Sequence, residues 1–517
     1  MTDASNEIRV AGSNRVYSRK KLLIVLLVPL MMSLMQVSSI NTALTSIQQS
    51  LSATDAEIQW MISGYALAIG IVLVPSGRLG DLFGRSGGFI TGLAIFAIAS
   101  LLIGLANDPV YLNLMRVLQG IGSGILSPQA TGLIQQYFEG QARAKAFAYF
   151  GLVVSASVAA GPVLSGGLIA LLGPEIGWRT SFLLNFPLGI IGVLLAIFWL
   201  PFGKERRTIG PRAAKIEAQY EAAEAAAGHT VRKRQPGQKI DLDPMGMVLL
   251  SLAVVAIMLP FMIKTPAWIY TIVILGIALM ALWLTWEKRY KERGGFPMVD
   301  LELFKIQTFR YGMTIISVLF LGMTSVWAVL LIFLQNALGA TPFELGLLSV
   351  PNSVLSAFAS LWAGKYAVTH GRAVQLGSLI MYLFGLLGCI AMTYFAFHGA
   401  SFWWYIFPTL FMGVAGGALG AANQTQAMLD VPASSGGTAG GVLQTGQRMS
   451  TAIGIAIVTA VFFAARGPVD ATTSAPHWYL GLIAAFSLIA FIILVDILIA
   501  ARFWYLGHNT EKRDAAA

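Results

Sequence analysis

Two arginines stand where arginine is costly. Of the 34 Lys and Arg residues, only Arg116 and Arg448 fall in the interior of apolar runs long enough to cross a bilayer, Lys145 and Arg502 being end residues of theirs; ionised groups at that depth are expensive and mark pathways for solutes or ions. Arg116 lies near the end of its run, from which a long side chain could also reach back to the interface. Arg448 lies roughly 16 Å into its run at 1.5 Å per residue, too deep for that escape. Gln447 precedes it directly and Gln444 by one helical turn, so the spacing predicts a polar patch that either lines a pathway or bonds backbone carbonyls. Carboxylates are scarcer still. Asp55, Glu57, Glu287 and Glu344 stand near run ends, and only Asp496 is clearly inside one. It is expected either to reach the inner surface or pair near Arg502, or to act in function. A cavity built from these residues, with no midplane acid, is neutral to positive. The five histidines do not cluster with Cys or acids at metal-ligand spacing, and no nucleophile, base and metal gather at either interface. Neither enzyme chemistry, a metal nor a cofactor is expected. Cys389 is the single cysteine, so disulfides play no part.

The elements that carry these residues follow from composition. Of the 517 residues 56% are hydrophobic and 11% charged, whereas soluble domains carry about 25% charged residues. The apolar runs are each about 20 residues, the length a helix needs to cross a hydrocarbon core, and only helices satisfy their backbone within one segment. The runs predict an all-α integral membrane protein of fourteen spans: 22–46, 58–77, 87–105, 110–133, 145–170, 180–200, 244–263, 267–287, 311–334, 344–364, 374–397, 402–425, 437–463 and 478–502. If the N-terminus is inside, only Arg179, Lys264 and Arg466 lie in outer loops, and nearly all other basic residues lie in inner segments. Topology thus explains the net charge of +10, and no nucleic-acid partner is implied. The expected organisation is an inner tail (1–21), six spans (22–200), an inner linker with a short helix (201–243), an inserted pair (244–287), an inner loop (288–310), six spans (311–502) and an inner tail (503–517).

The two groups of six look related. Gly77-Arg78-Leu79-Gly80-Asp81-Leu82-Phe83-Gly84-Arg85 follows the second span, and Gly364-Lys365-Tyr366-Ala367-Val368-Thr369-His370-Gly371-Arg372 follows its counterpart. Each has Gly, then Gly-Arg, at the same spacing, as in parallel repeats of two bundles around a midplane site. In the fifth span Gly151, Gly161, Pro162, Gly166 and Gly167 make a thin, bendable helix, suited to close packing or to a sliding seal.

These residues resemble the major facilitator superfamily, in its fourteen-span drug:proton antiporter branch, over almost the whole chain. The Gly77 to Arg85 loop is similar to the superfamily's loop motif. Leu112 to Gly122, with Arg116 and Gln119, is similar to its fourth-span arginine motif. Gly161-Pro162-Val163-Leu164-Ser165-Gly166-Gly167 is similar to the fifth-span antiporter motif, with Ser165 in place of a glycine. Trp178-Arg179, Phe182, Asn185 and Pro187 resemble the start of the sixth span, and Gln59-Trp60 with Tyr65 the second. The resemblance implies two six-helix bundles plus two inserted helices, working by alternating access. It implies that Asp81 pairs with nearby arginines and faces a helix N-terminus of the opposite bundle, a geometry favoured by charge pairing and the helix dipole; the alternative is a solvated loop acid. Val368 at the matching position suggests that only the first copy of this latch operates. The first span departs from the branch: Gln36 stands in the place of its acid, with Asn41 after it and Thr45 for its proline. An amide cannot titrate near neutral pH, so proton coupling by the usual route is not expected. The resemblance implies an exporter of lipophilic or amphipathic small molecules in a bacterial inner membrane, acting as a monomer within the lipid bilayer. The alternative is an exporter or flippase of an envelope lipid or metabolite.

Overall fold

The computed structural model describes residues 7–9, 16–201, 241–262, 271–467 and 475–516. The expected linker helix within 202–240 and the loop bearing Lys264 lie outside them. Two short strands, β1 (Glu7–Arg9) and β2 (Val16–Ser18), pair antiparallel. All else regular is helical: α1 (Arg19–Leu51), α2 (Asp55–Phe83), α3 (Arg85–Gly104), α4 (Pro109–Tyr137), α5 (Gly140–Leu172), α6 (Pro174–Leu183), α7 (Asn185–Trp199), α8 (Pro244–Met262), α9 (Thr271–Glu292), α10 (Gln307–Leu338), α11 (Pro342–Tyr366), α12 (Gly371–Phe397), α13 (Ile406–Ala427), α14 (Gly436–Arg466) and α15 (Ala475–Ala516), with short 3-10 turns between some of them.

Every expected span corresponds to a helix, with α6 and α7 sharing the sixth. Thirteen stretches among the described residues are long and apolar enough to cross a membrane. The exception, α4, is long enough but carries Arg116, Gln119, Gln129 and Gln135, all buried. Its polarity is turned inward. The break between α6 and α7 has a local cause: Pro187 cannot donate to the carbonyl four residues back, at Leu183, and its ring crowds that carbonyl. The carbonyl of Ser181 instead takes a bond from Asn185 Nδ2, 3.3 Å away.

Helix starts repeat as the loops do. Thr54 caps α2 and Thr341 caps α11, each taking the backbone N–H of a glutamate three residues on, Glu57 or Glu344, whose carboxylate bonds back. Such reciprocal boxes satisfy two donors that a helix start leaves open.

The chain divides into two compact units, the first comprising residues 1–139, 164–306 and 430–445, the second 140–163, 307–429 and 446–517. In the first, Ile40, Ile47, Met61, Leu112, Trp178 and Phe182 form one core cluster. In the second, Ala148, Ala359, Ala363, Ala418 and Ala421 pack the start of α5 against α11 and α13. Small residues let helix backbones approach closely where apolar burial gives no drive. Many large apolar side chains stay exposed, among them Leu114, Ile274, Phe491 and Leu498, as a lipid-facing surface requires.

Candidate functional site

At the end of α2 the first unit builds a clasp on the first turn of α14. That turn leaves backbone donors open, and Asp81 takes them: Oδ1 accepts from Gly437 N at 2.9 Å, and Oδ2 from Thr438 N at 2.8 Å and Thr438 Oγ1 at 2.7 Å. Arg85 pairs with the same carboxylate, Nη2 to Oδ1 at 2.6 Å, in a nearly closed site. Its guanidinium also donates to the carbonyls of Gly132 and Ala433 and to Gln136 Oε1. Two glycines are required by geometry. A Cβ on Gly77 would collide with the Gly437 carbonyl, and Gly84, at φ 106°, ends α2 where other residues are strained. Arg78 lies beside Asp81 and is drawn to three further acids, Asp241, Glu287 and Asp243.

The second unit carries the related loop with different chemistry. Val368 offers no acceptor. Here Gln141, in the first turn of α5, donates through Nε2 to the carbonyls of Gly364 and Lys365, at 3.1 and 3.0 Å. The polarity is reversed: the side chain caps the end of α11, and no carboxylate caps the start of α5. Ser360 Oγ donates to the Ala148 carbonyl at 2.9 Å, and Ser155 and Ser356 share a bond of 2.8 Å. Added Cβ atoms on Gly151 and Gly364 would strike Ser360 and Ala148.

Pro162 lies within α5, whose residues up to Val163 belong to the second unit and whose residues from Leu164 belong to the first. Gly161 is buried. Gly166 leaves ordinary van der Waals room beside Thr42, and Gly167 faces open space.

Arg116 does not reach back to an interface. It is 1% exposed; Nη1 donates to Gln119 Oε1 at 2.7 Å, Nε to the Met61 carbonyl at 3.3 Å, and the guanidinium lies 4.2 Å from the Tyr65 ring centre. Gln119 passes its own N–H to Ser100 Oγ at 2.7 Å. Among the described residues no carboxylate pairs with Arg116. Gln36 is also buried, its Oε1 accepting from Asn185 Nδ2 at 2.8 Å. Gln36 Nε2 and the Tyr65 hydroxyl are buried with no hydrogen-bond partner. The side chain of Asn41 lies outside the described residues.

Of the residues expected in a patch with Arg448, the contacts of Gln444 are given by the first unit. Gln444 turns to α4, accepting from Ser127 Oγ and approaching Thr131 Oγ1 at 3.5 Å, in the first unit. Gln447 and Arg448, half-buried, belong to the second. Asp496 departs from its bland expectation: it is fully buried, neither oxygen has a hydrogen-bond partner, and Arg502 is exposed.

A sequence profile described as Major Facilitator Superfamily matches residues 26–238. A probable actinorhodin transporter of Streptomyces coelicolor is 28% identical to this chain, over 84% of it and 71% of the relative. Residues 26–238 are thus similar to the major facilitator superfamily, and the chain as a whole to transporters of that type. A second relative of this transporter, the multidrug resistance protein Stp of Mycobacterium tuberculosis, is 27% identical over 82% of the chain and 72% of the relative. The solved structure of the proton:xylose symporter XylE covers 94% of the chain at 12% identity with a TM-score of 0.63, and shares the fold. The stretches that resemble the superfamily's loop motif and fourth-span arginine motif are those that carry the Asp81 clasp and the Arg116 cluster. The capping boxes and Gln141 were missed from sequence, although Thr-x-x-Glu stands before both helices.

Proposed function

We propose that this transporter is an alternating-access exporter of lipophilic or amphipathic small molecules of the multidrug efflux type, favouring neutral, zwitterionic or anionic solutes. The observation that carries the charge preference is the Arg116 cluster. Among the described residues a fully buried guanidinium has no carboxylate paired with it, and two further polar groups, Gln36 Nε2 and the Tyr65 hydroxyl, are left without partners. Buried donors without acceptors are costly; a solute bearing an acceptor or a negative charge would satisfy them, and a dication would be repelled. Relatives named for actinorhodin transport and multidrug resistance support export of such compounds. In this reading the Asp81 clasp works as the inner gate, with the Gly161, Pro162 and Gly166 region of α5 as a bending element. Gln447 and Arg448 line the path, and both termini face the cytoplasm of a bacterial inner membrane. Any proton coupling enters elsewhere than Gln36. Expression in an efflux-deficient host tests the charge preference: resistance to lipophilic dications stays weak, and Arg448→Ala reduces transport of an anionic solute more than of a neutral one. Strong dication resistance with Gln36 intact returns the chain to cationic drug efflux.

A further inference from the structure

The inserted helices carry ionisable groups that the transport reading leaves unused. Asp243, just before α8, is fully buried and hydrogen-bonded through both oxygens, with Oδ2 keeping one lone pair: Oδ1 accepts from Gly246 N at 3.0 Å and Trp286 Nε1 at 2.9 Å, and Oδ2 from Met298 N at 3.2 Å. Asp241 accepts from the Tyr290 hydroxyl at 2.6 Å, from Phe296 N at 2.9 Å and from Asp243 N at 3.3 Å. These two acids fold the chain after α9 back onto the start of α8. Glu287 has no such task. It is 1% exposed, and neither carboxyl oxygen has a hydrogen-bond partner. Beside it stand the Asp243 carboxylate, the Trp283 indole and the backbone N–H of Val299. A methyl group on Gly246 would touch Asp243 Oδ2 and Glu287 Oε1 at once, so the two carboxylates face one another across that glycine.

Two carboxylates this close, out of water, do not both stay ionised unless something positive lies between them. Among the described residues the neighbouring charged groups are engaged elsewhere or exposed. Asp241 and Tyr290 bond one another, Lys291 is held by Asp300 and Glu302, and Lys288 and Arg289 are exposed. Arg78, three residues before Asp81, is the cation on the neighbouring helix that all three acids attract. We propose that Asp243 and Glu287 form a proton-binding site that holds one proton between their facing oxygens, and that release of this proton sets a second negative charge against Arg78 beside the Asp81 clasp. The site lies on the inserted helices, far along the chain from Gln36, and so offers a proton route that the first span lacks. Its link to transport rests on the exporter reading; the proton site itself does not.

Infrared difference titration of the full chain in lipid nanodiscs tests the site. A protonated-carboxyl band that titrates with pH is expected in the wild type, lost in Glu287→Gln, moved in Glu287→Asp and kept in Asp496→Asn. A band unchanged by both Glu287 variants overturns the proposal. So does calorimetric binding of Na⁺, K⁺, Mg²⁺ or Ca²⁺ that Glu287→Gln abolishes, since the occupant is then a metal cation. In proteoliposomes, Glu287→Gln is expected to flatten the dependence of flux on inner pH while flux at low inner pH stays within about threefold of wild type, as removal of one linked proton predicts. An unaltered pH dependence overturns the coupling to transport. Failure of the exporter reading looks different: no compound moves, in the wild type or in any variant.

Discussion

Asp81→Asn keeps the size of the side chain and removes its charge. Both oxygens are in use, toward Gly437, Thr438 and Arg85, so an asparagine amide must turn its NH₂ toward at least one donor. Hydrogen bonds to charged groups contribute about 1.5–3 kcal/mol each and neutral ones about 0.5–1.5; removing one partner of a buried ion pair costs about 3–5 kcal/mol. With the Asp81 side chain 1% exposed, solvent screening offers little relief. The clasped form should lose about 3 kcal/mol or more, at least a hundredfold in the balance between clasped and released forms. The variant should therefore transport poorly in inside-out vesicles, while substrate binding in detergent stays within a few-fold of wild type. If binding collapses and cycling persists, Asp81 belongs to the substrate path and the clasp reasoning is wrong.

Gln36→Asp restores an acid beside Asn185 and should add a second proton dependence to flux or shift specificity toward cations; an unchanged profile in proteoliposomes would show that this position is not on the path. Gln141→Ala removes two neutral bonds, worth about 0.5–1.5 kcal/mol each, and should slow transport less than Asp81→Asn does. Equal loss in the same vesicle assay would refute the asymmetry between the two loops. At Asp241 burial works to raise the carboxyl pKa, but bonds from Tyr290, Phe296 and Asp243 together with the Arg78 charge outweigh it and hold the pKa below the ordinary value. Its stabilising contribution is therefore complete above about pH 4, the ordinary aspartate value, and is lost only as pH falls through the lowered value. Amide exchange at Phe296 should show unchanged protection between neutral and mildly acidic pH, and a decline there would contradict the sign.

Much of the fold was legible because the membrane leaves few solutions. Apolar runs found every span, including α4, whose glutamines lower its hydropathy while packing inward. The break at Leu184 was written in Pro187 but sits inside an apolar run, where periodicity conceals a local interruption. The site was legible in part. Gly77, Gly84 and Arg85 could be singled out from spacing and Asp81 from the family resemblance, yet their acceptors and donors at Ala433, Gly437 and Thr438 are more than 300 residues away, and no local pattern points to them. Helical spacing singled out Gln444, but could not show that its amide bonds Ser127 on α4. Which face of a helix meets which neighbour is settled by tertiary packing. Glu287 looked like an interfacial acid because its run ends there; the turn through Phe296 and Met298 buries it.

The two related loops divide their labour by charge. In the first, a carboxylate meets two backbone N–H groups at a helix start, where the macrodipole is positive, and an arginine completes the pair. In the second, an amide meets two carbonyls at a helix end, where the dipole is negative, and no formal charge is involved. Charge-assisted bonds are roughly twice as strong as neutral ones, and they respond to other charges nearby. The charged clasp of the first loop can therefore be biased electrostatically, and the arginine next to it, Arg78, is under the influence of the charges of Asp241, Asp243 and Glu287. The first inserted helix, α8, packs against α2, with Gln59 and Ser63 both bonding the Met262 carbonyl at its end. An insertion anchored on the helix that ends in the responsive loop is placed to bias it; one anchored on α11 would meet a cap that has no carboxylate and no ion pair to shift.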